Sequence, residues 1–344
     1  MPLVLIASER FAEHQTPPGH PESPERARVL DAVAGEWRRQ RGEVVAPRMA
    51  TEEQLARVHD EAYLRKLAAI AGRAVALDPD TYTSPETYEI AHLAAGAAID
   101  AVEHALGGPE QRALALVRPP GHHAERGRAM GFCFYNNVAV AAAHARVQGA
   151  ARVAIVDYDV HHGNGTQHIF ESDPAVLYIS THQYPYYPGT GAAEEIGRGP
   201  GAGFTVNLPI EAGAVDEDYR SVFANVVLPV LRQFKPDLLL ISAGFDAHER
   251  DPLGGMRLST DAFAAMTMDL RSVAEECCEG RIAAVTEGGY DLHALTDSLN
   301  AIVGVLNATR IDPSPWSAAD AFPPSRGRAA AAAAKTALAT YWKL

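Results

Sequence analysis

The sequence predicts an α/β fold in one domain over residues 1–344, three-layered (α/β/α) around a mainly parallel eight-stranded sheet. Short runs rich in Val, Leu and Ile recur along the chain. Most hold their apolar residues consecutively, the mark of strands covered on both faces. Ala- and Leu-rich stretches separate many of them, which implies parallel strands joined by right-handed crossovers. Polar clusters follow five of the runs, and in such sheets ligands sit beyond the carboxyl ends of the strands.

In chain order, the first strand is 3–6, followed by a helix near 24–40 and a second strand at 44–46. Helices near 60–72 and 85–107 precede the strand 113–117, and a helix near 134–149 leads to the strand 153–157. Strands at 176–180 and 204–208 come next, then a helix over 216–234 and a strand at 238–242. A helix over 260–278, a strand at 282–286 and a helix over 291–308 follow, and the Ala-rich stretch 329–334 marks a terminal helix. No Pro/Gly/Ser linker and no internal repeat divides the chain.

Composition narrows the function classes. Hydrophobic content of 47% and charged content of 21% are ordinary globular values. No apolar run approaches the roughly 18 residues that cross a bilayer, so no membrane partner is expected. The start, Met-Pro-Leu-Val-Leu-Ile, is too short for a signal peptide and lacks a basic lead-in. Cys133 and the adjacent Cys277 and Cys278 form no disulfide framework, which points to the cytoplasm. A net charge of −13 disfavours nucleic acid as a direct partner.

The most informative cluster runs Asp157-Tyr-Asp159-Val-His161-His162-Gly-Asn164-Gly165, directly after the apolar run 153–156. Read as strand positions, Asp157, Asp159 and His161 share one side. No Lys or Arg within the segment pairs with the acids, so a divalent cation is the expected compensation. Asp159 and His161 can point at one metal, and Asp246, after its Gly-Phe turn, is the candidate third ligand. Three protein ligands leave a position open, the catalytic rather than the structural zinc pattern. Two carboxylates balance the 2+ charge of a centre able to polarise a carbonyl and activate water.

A second cluster, Arg118-Pro-Pro-Gly121-His122-His123-Ala124, follows the strand 113–117. Adjacent imidazoles do not readily both carry charge, so environment should separate their titrations. One then accepts a proton while the other supports developing charge. Tyr290 follows two glycines and could donate a hydrogen bond to an oxyanion. Gly131-Phe132 and Tyr187 could line an aromatic slot.

With these residues in view, the chain resembles the zinc-dependent histone deacetylase family, from about His20 to about Asn300 and with the motifs in the family's order. The resemblance implies the arginase–deacetylase fold, shared with acetoin utilisation proteins and acetylpolyamine amidohydrolases. It implies Zn2+ on Asp159, His161 and Asp246, and His122 and His123 as the acid/base pair with His123 the base. Asp157 is then the partner of His122, and Asn164 that of His123. Tyr290 matches the carbonyl-polarising tyrosine, and Phe132 and Tyr187 match the aromatics that flank the acyl-lysine stem. A structural K+ would sit among Asp157, Asp159, His161, Ser180 and Thr181. A second would use backbone oxygens near Phe170, Asp173 and Val176. Arg26 matches an arginine beside a product channel.

The chain also departs from the pattern. Asn164 stands where one branch carries Asp, as on the class II-like side of the family. Tyr187 replaces the commoner Phe. The loop between His182 and Tyr187 is short, which leaves a wider mouth or a place for a neighbouring subunit of a homo-oligomer. The polyamine branch carries an acidic gatekeeper seven residues after the third ligand, and here that position is Leu253. Leucine cannot pair with a distal ammonium, which favours ε-acyl-lysine in peptides or proteins, while Glu249 and Asp251 keep an acetylated polyamine as the alternative. Asp80 sits in the loop that contacts substrate backbone in relatives. A non-catalytic acyl-lysine reader is disfavoured by the complete catalytic set, and a two-manganese ureohydrolase by the shortage of carboxylates.

Overall fold

A computed structural model describes residues 3–310 and 325–344. Among them, eight strands form one sheet: β1 (Leu3–Ile6), β2 (Glu43–Val45), β3 (Arg112–Ala115), β4 (Val153–Asp157), β5 (Val176–Gln183), β6 (Thr205–Ile210), β7 (Leu238–Ala243) and β8 (Ile282–Thr286). Their spatial order is β2-β1-β3-β8-β7-β4-β5-β6, and every pair is parallel. The runs of consecutive apolar residues are thus strands buried on both sides, except at the edge, where β2 is largely exposed.

Alternation along the strands builds two cores. On one face Leu3, Leu5, Leu114, Val156 and Ile241 pack against α1 (Pro24–Arg39), α9 (Thr260–Cys277), α10 (Leu292–Asn307) and α11 (Ser325–Leu338). On the other, Val4, Ile6, Ala113, Ile155 and Leu240 meet α4 (Thr87–Leu106) and α5 (Asn137–Val147). α4 is buried along most of its length, and its small Ala side chains let it lie close to the sheet and to α5. No helix among the described residues is long and apolar enough to cross a membrane.

Several local expectations change. The helix expected over 216–234 is broken into α7 (Asp216–Val222), a π-turn (Phe223–Val227) and α8 (Leu228–Phe234). Pro229 has no N–H to give the α ladder, and the ladder shifts there to the Leu228 N–H on the Phe223 carbonyl. The helix near 60–72 shortens to α3 (Glu61–Ala68), and α2 (Glu52–Ala56), held by a Thr51–Gln54 capping box, precedes it. α6 (Asn164–Phe170) occupies the segment read as the tail of a motif. β5 runs on to Gln183, so Ser180, Thr181 and His182 lie within the strand and not beyond it.

The strand order places the site. β3, β8, β7, β4 and β5 are consecutive neighbours, so the five polar clusters leave adjacent C-terminal strand ends along one rim.

Candidate active site

β4 ends at Asp157, which corrects the expectation that Asp159 and His161 sit on the strand itself. Short side-chain-to-backbone bonds shape the turn beyond it. Asp157 Oδ1 accepts the Asp159 N–H at 3.2 Å, and Asp159 Oδ1 accepts the His161 N–H at 2.9 Å. Asp residues favour such turns because the carboxylate reaches the amide two residues on. Asp246, delivered by the loop after β7, accepts the Val160 N–H at 2.8 Å. Gly288, after β8, donates its N–H to Asp159 Oδ2 at 2.8 Å. A Cβ at Gly288 would lie 2.2 Å from Asp246 Oδ2, so only glycine lets this loop close over both carboxylates.

Asp159, His161 and Asp246 are buried, and each offers a ligand atom within 4.8 Å of the others. His161 Nδ1 lies 3.1 Å from Asp159 Oδ1 and 3.1 Å from Asp246 Oδ2. Burial and the Asp159 charge push the Asp246 carboxyl up to about 7. Burial disfavours a charged His161, yet the two carboxylates outweigh it and raise its pKa well above the ordinary value. A site that holds two buried carboxylates beside one imidazole favours positive charge. Two oxygen donors and one nitrogen with an open side suit a catalytic divalent ion such as zinc.

The histidine pair follows β3. Their rings lie 4.0 Å apart, and Gly121 and His122 donate backbone N–H bonds to Glu287 Oε2 at 2.6 and 3.1 Å. His122 Nδ1 is 3.1 Å from Asp157 Oδ2, whereas His123 Nδ1 is 2.8 Å from Asn164 Oδ1. Burial opposes charge on His122, but Asp157 and Asp159 prevail and raise it to about 10. Burial, His122 and His161 push His123 well below its ordinary value. The neighbours therefore titrate far apart, His122 charged and His123 neutral. Gly131 lies in the left-handed region at φ 57°, and a Cβ there would come within 2.4 Å of the His123 ring.

These groups floor a cavity of about 80 Å³ whose walls include Phe132, Tyr187, Leu253, Asp80 and Tyr290. Phe132 adopts φ 69°, a costly conformation for a bulky residue, and is tied by its N–H to Thr81 Oγ1 at 3.1 Å. Thr81 in turn donates to Asp80 Oδ1 at 2.9 Å, which couples the Asp80 loop to the aromatic wall. The Tyr187 ring meets His123 edge-on at 5.1 Å. Tyr186, which sequence reasoning did not single out, stacks on His161 at 5.6 Å, and its hydroxyl donates to the Leu253 carbonyl at 3.1 Å.

Burial raises the Tyr290 phenol well above its ordinary value, so it remains a hydrogen-bond donor. The Arg26 guanidinium lies 5.2 Å over its ring and donates to the Gly289 and Glu287 carbonyls at 2.8 and 2.5 Å. Glu22 holds Arg26 at 3.1 Å and grips Arg118 through both oxygens at 2.6 and 2.8 Å, all three side chains being fully buried. The Asp251 carboxylate accepts the N–H groups of Tyr290, Asp291 and Leu253 at 2.6, 3.1 and 2.9 Å, and neither it nor the exposed Glu249 lines the cavity.

Asp157 pairs in register with Ser180, and Thr181 Oγ1 donates to the Asp157 carbonyl at 3.5 Å. The Phe170 and Asp173 carbonyls accept the N–H groups of Asp173 and Val176 at 2.8 and 3.3 Å in the turn between α6 and β5. Each of these carbonyls keeps a second lone pair.

The histone deacetylase domain profile matches residues 20–306. The chain belongs to the histone deacetylase family. It is 40% identical over 307 residues to a probable deacetylase of Archaeoglobus fulgidus, covering 88% of this chain and 85% of that protein. It is 43% identical over 278 residues to a histone deacetylase-like amidohydrolase of Pseudomonas aeruginosa, covering 79% and 73%. Human polyamine deacetylase HDAC10 is 40% identical over 341 residues, 94% of this chain but 49% of that longer protein. The crystal structure of the HDA15 HD domain superposes with a TM-score of 0.90 at 36% identity, covering 99% of this chain and 95% of that one. The protein is accordingly a hydrolase with the arginase–deacetylase fold.

Within this family framework, sequence reasoning missed the buried acids that hold the site. Glu22 lies in no motif and Glu287 only opens the polar cluster Glu287-Gly288-Gly289-Tyr290 with no role assigned, and their partners lie as far as 96 and 166 residues away along the chain.

Proposed function

We propose that this family member removes acetyl or longer acyl groups from lysine side chains of peptides or proteins, the whole chain acting as one catalytic domain. The carrying observation is the opposed pair of imidazoles in a cavity that is also lined by Tyr290 and by His161, one member of the Asp159–His161–Asp246 cluster. Those three residues would hold the metal. Zinc, when bound, polarises the amide carbonyl and lowers the pKa of water.

The chain's own groups do the rest. Neutral His123, with Nδ1 engaged by Asn164, has Nε2 free to accept a proton from the attacking water and pass it to the leaving amine. Charged His122 stabilises the negative charge that develops nearby. The Tyr290 hydroxyl donates to the oxyanion formed from the substrate carbonyl. Phe132 and Tyr187 cover the apolar stem and exclude water.

Lysine is favoured over polyamine because Leu253 in the cavity wall gives a distal ammonium no partner and Asp251 is spent on backbone amides. The name of the human relative supports the polyamine alternative. Potassium at the Asp157–Thr181 cluster belongs to the same reading, as does a reducing compartment such as the cytoplasm for three unpaired thiols. Purified enzyme assayed on acyl-lysine peptides of several chain lengths, acetylputrescine and acetylspermidine tests the proposal. Preference for the peptides supports it, and preference for the small amines overturns the lysine assignment.

A further inference from the structure

The base of the proposed reaction rests on an amide, and an amide has two ends. Asn164 can fix His123 as a base with a free Nε2 only when its oxygen, not its nitrogen, faces the ring. With the amide turned over, Nδ2 would donate to His123 Nδ1, the ring proton would move to Nε2, and the nitrogen meant to accept a proton would already carry one. Aspartate has no such choice. An asparagine at this position therefore needs something to hold its orientation.

Glu125 stands where that something must be. Asn164 Nδ2 donates to Glu125 Oε1 at 2.5 Å, and the His123 carbonyl at 3.4 Å and Met130 Sδ at 3.5 Å surround the same nitrogen. All three neighbours are acceptors, so a carbonyl oxygen in that place would face a carboxylate head-on. The amide is thereby locked with Oδ1 toward His123. Glu125 is itself fixed. Its N–H donates to the Arg128 carbonyl at 2.9 Å, and both its oxygens bond His168 Nδ1, at 2.9 and 3.1 Å. Asn164 and His168 stand four residues apart on α6, one turn from each other, and Glu125 bridges them. Its side chain is 18% exposed, enough burial for the carboxylate–amide bond to keep its strength.

We propose that Glu125 is a positioning residue: through Asn164 it sets the tautomer of His123 and keeps Nε2 basic. This rests on the amide-hydrolysis reading above. It predicts a pattern of non-additivity that a merely structural residue would not produce. Glu125→Ala leaves Asn164 free to turn, so kcat falls about tenfold with little change in KM. Glu125→Gln still offers Oε1 to Asn164 Nδ2 and retains more turnover than Glu125→Ala. Asn164→Asp alone sets two carboxylates against each other and is impaired. In that background Glu125→Ala removes the repulsion and raises kcat, reversing the sign of its effect in the parent.

The decisive test pairs those kinetics with 15N NMR of the histidine rings in the zinc-loaded protein, His123 being assigned by its loss in His123→Gln. The parent and Glu125→Gln should show His123 as the Nδ1–H tautomer, and Glu125→Ala should gain the Nε2–H form. An unchanged His123 spectrum in Glu125→Ala, or simply additive losses in the double variant, overturns the proposal. If the parent hydrolyses no acylated amine, the proposed function fails while the ring spectra still decide the role of Glu125.

Discussion

His122 and Asp157 face each other at 3.1 Å across the ends of two non-adjacent strands, while His123, the next residue, faces a neutral amide. Two carboxylates on one side, and burial with two neighbouring imidazoles on the other, thus separate two chemically identical side chains. In Asp157→Asn the His122 pKa should fall from about 10 toward its ordinary 6.5, as read by histidine titration of the metal-free protein. Turnover should drop about 10- to 100-fold with zinc retained. The sign follows for stability. A raised imidazole stabilises the metal-free fold below 6.5, and that contribution is lost as pH climbs toward 10. Asp157→Asn should flatten that decline in urea melts taken across this range.

In the proposed reaction Tyr290 has a wholly different task, donating one hydrogen bond to a charge that exists only during turnover. Tyr290→Phe should keep metal content and fold but lose about 10²–10³ in kcat. Near-parental turnover with full zinc occupancy would remove it from the mechanism.

Glu22 is the keystone beneath Tyr290, since Arg26 and Arg118 both depend on it. Burial would raise its pKa, but Arg118 and His14 hold the carboxyl well below its ordinary 4.5. Glu22→Gln leaves two buried guanidinium groups without their anion and should cost about 3–5 kcal/mol at pH 7. A depressed carboxyl stabilises above 4.5 and loses that contribution as pH falls through its folded value. The gap between parent and variant in chemical denaturation should therefore narrow below pH 4.5.

Leu253→Glu would place a carboxylate in the cavity wall. The ratio of kcat/KM for acetylspermidine over an acetyl-lysine peptide should rise about tenfold, equivalent to about 1.4 kcal/mol. No change in that ratio would mean that other residues choose the amine.

The sheet was legible because most strands carry runs of consecutive apolar residues, as in 153–156 and 238–241, the pattern of burial on both faces. The candidate ligands were legible because alternate acids and imidazoles without a basic neighbour demand a cation. Boundaries fared worse. Asp159 and His161 read as strand because alternation there mimics a pleat, whereas carboxylate-to-amide bonds turn the chain at Asp157. α6 was illegible because its seven residues are too few for a helical period and polar Asn164, Thr166 and Gln167 are buried beside Ile169 and Phe170. The Glu22–Arg118 and Glu287–Gly121 bonds were out of reach for another reason: they join segments that only the strand order brings together.

The central claim is that Asp159, His161 and Asp246 grip one divalent ion. Anomalous diffraction at the zinc edge from crystals of the zinc-loaded protein addresses it directly. A single strong peak about 2.0–2.2 Å from one oxygen of each aspartate and from His161 Nδ1 is the result expected. A zinc-loaded crystal with no peak between these three side chains would contradict the account.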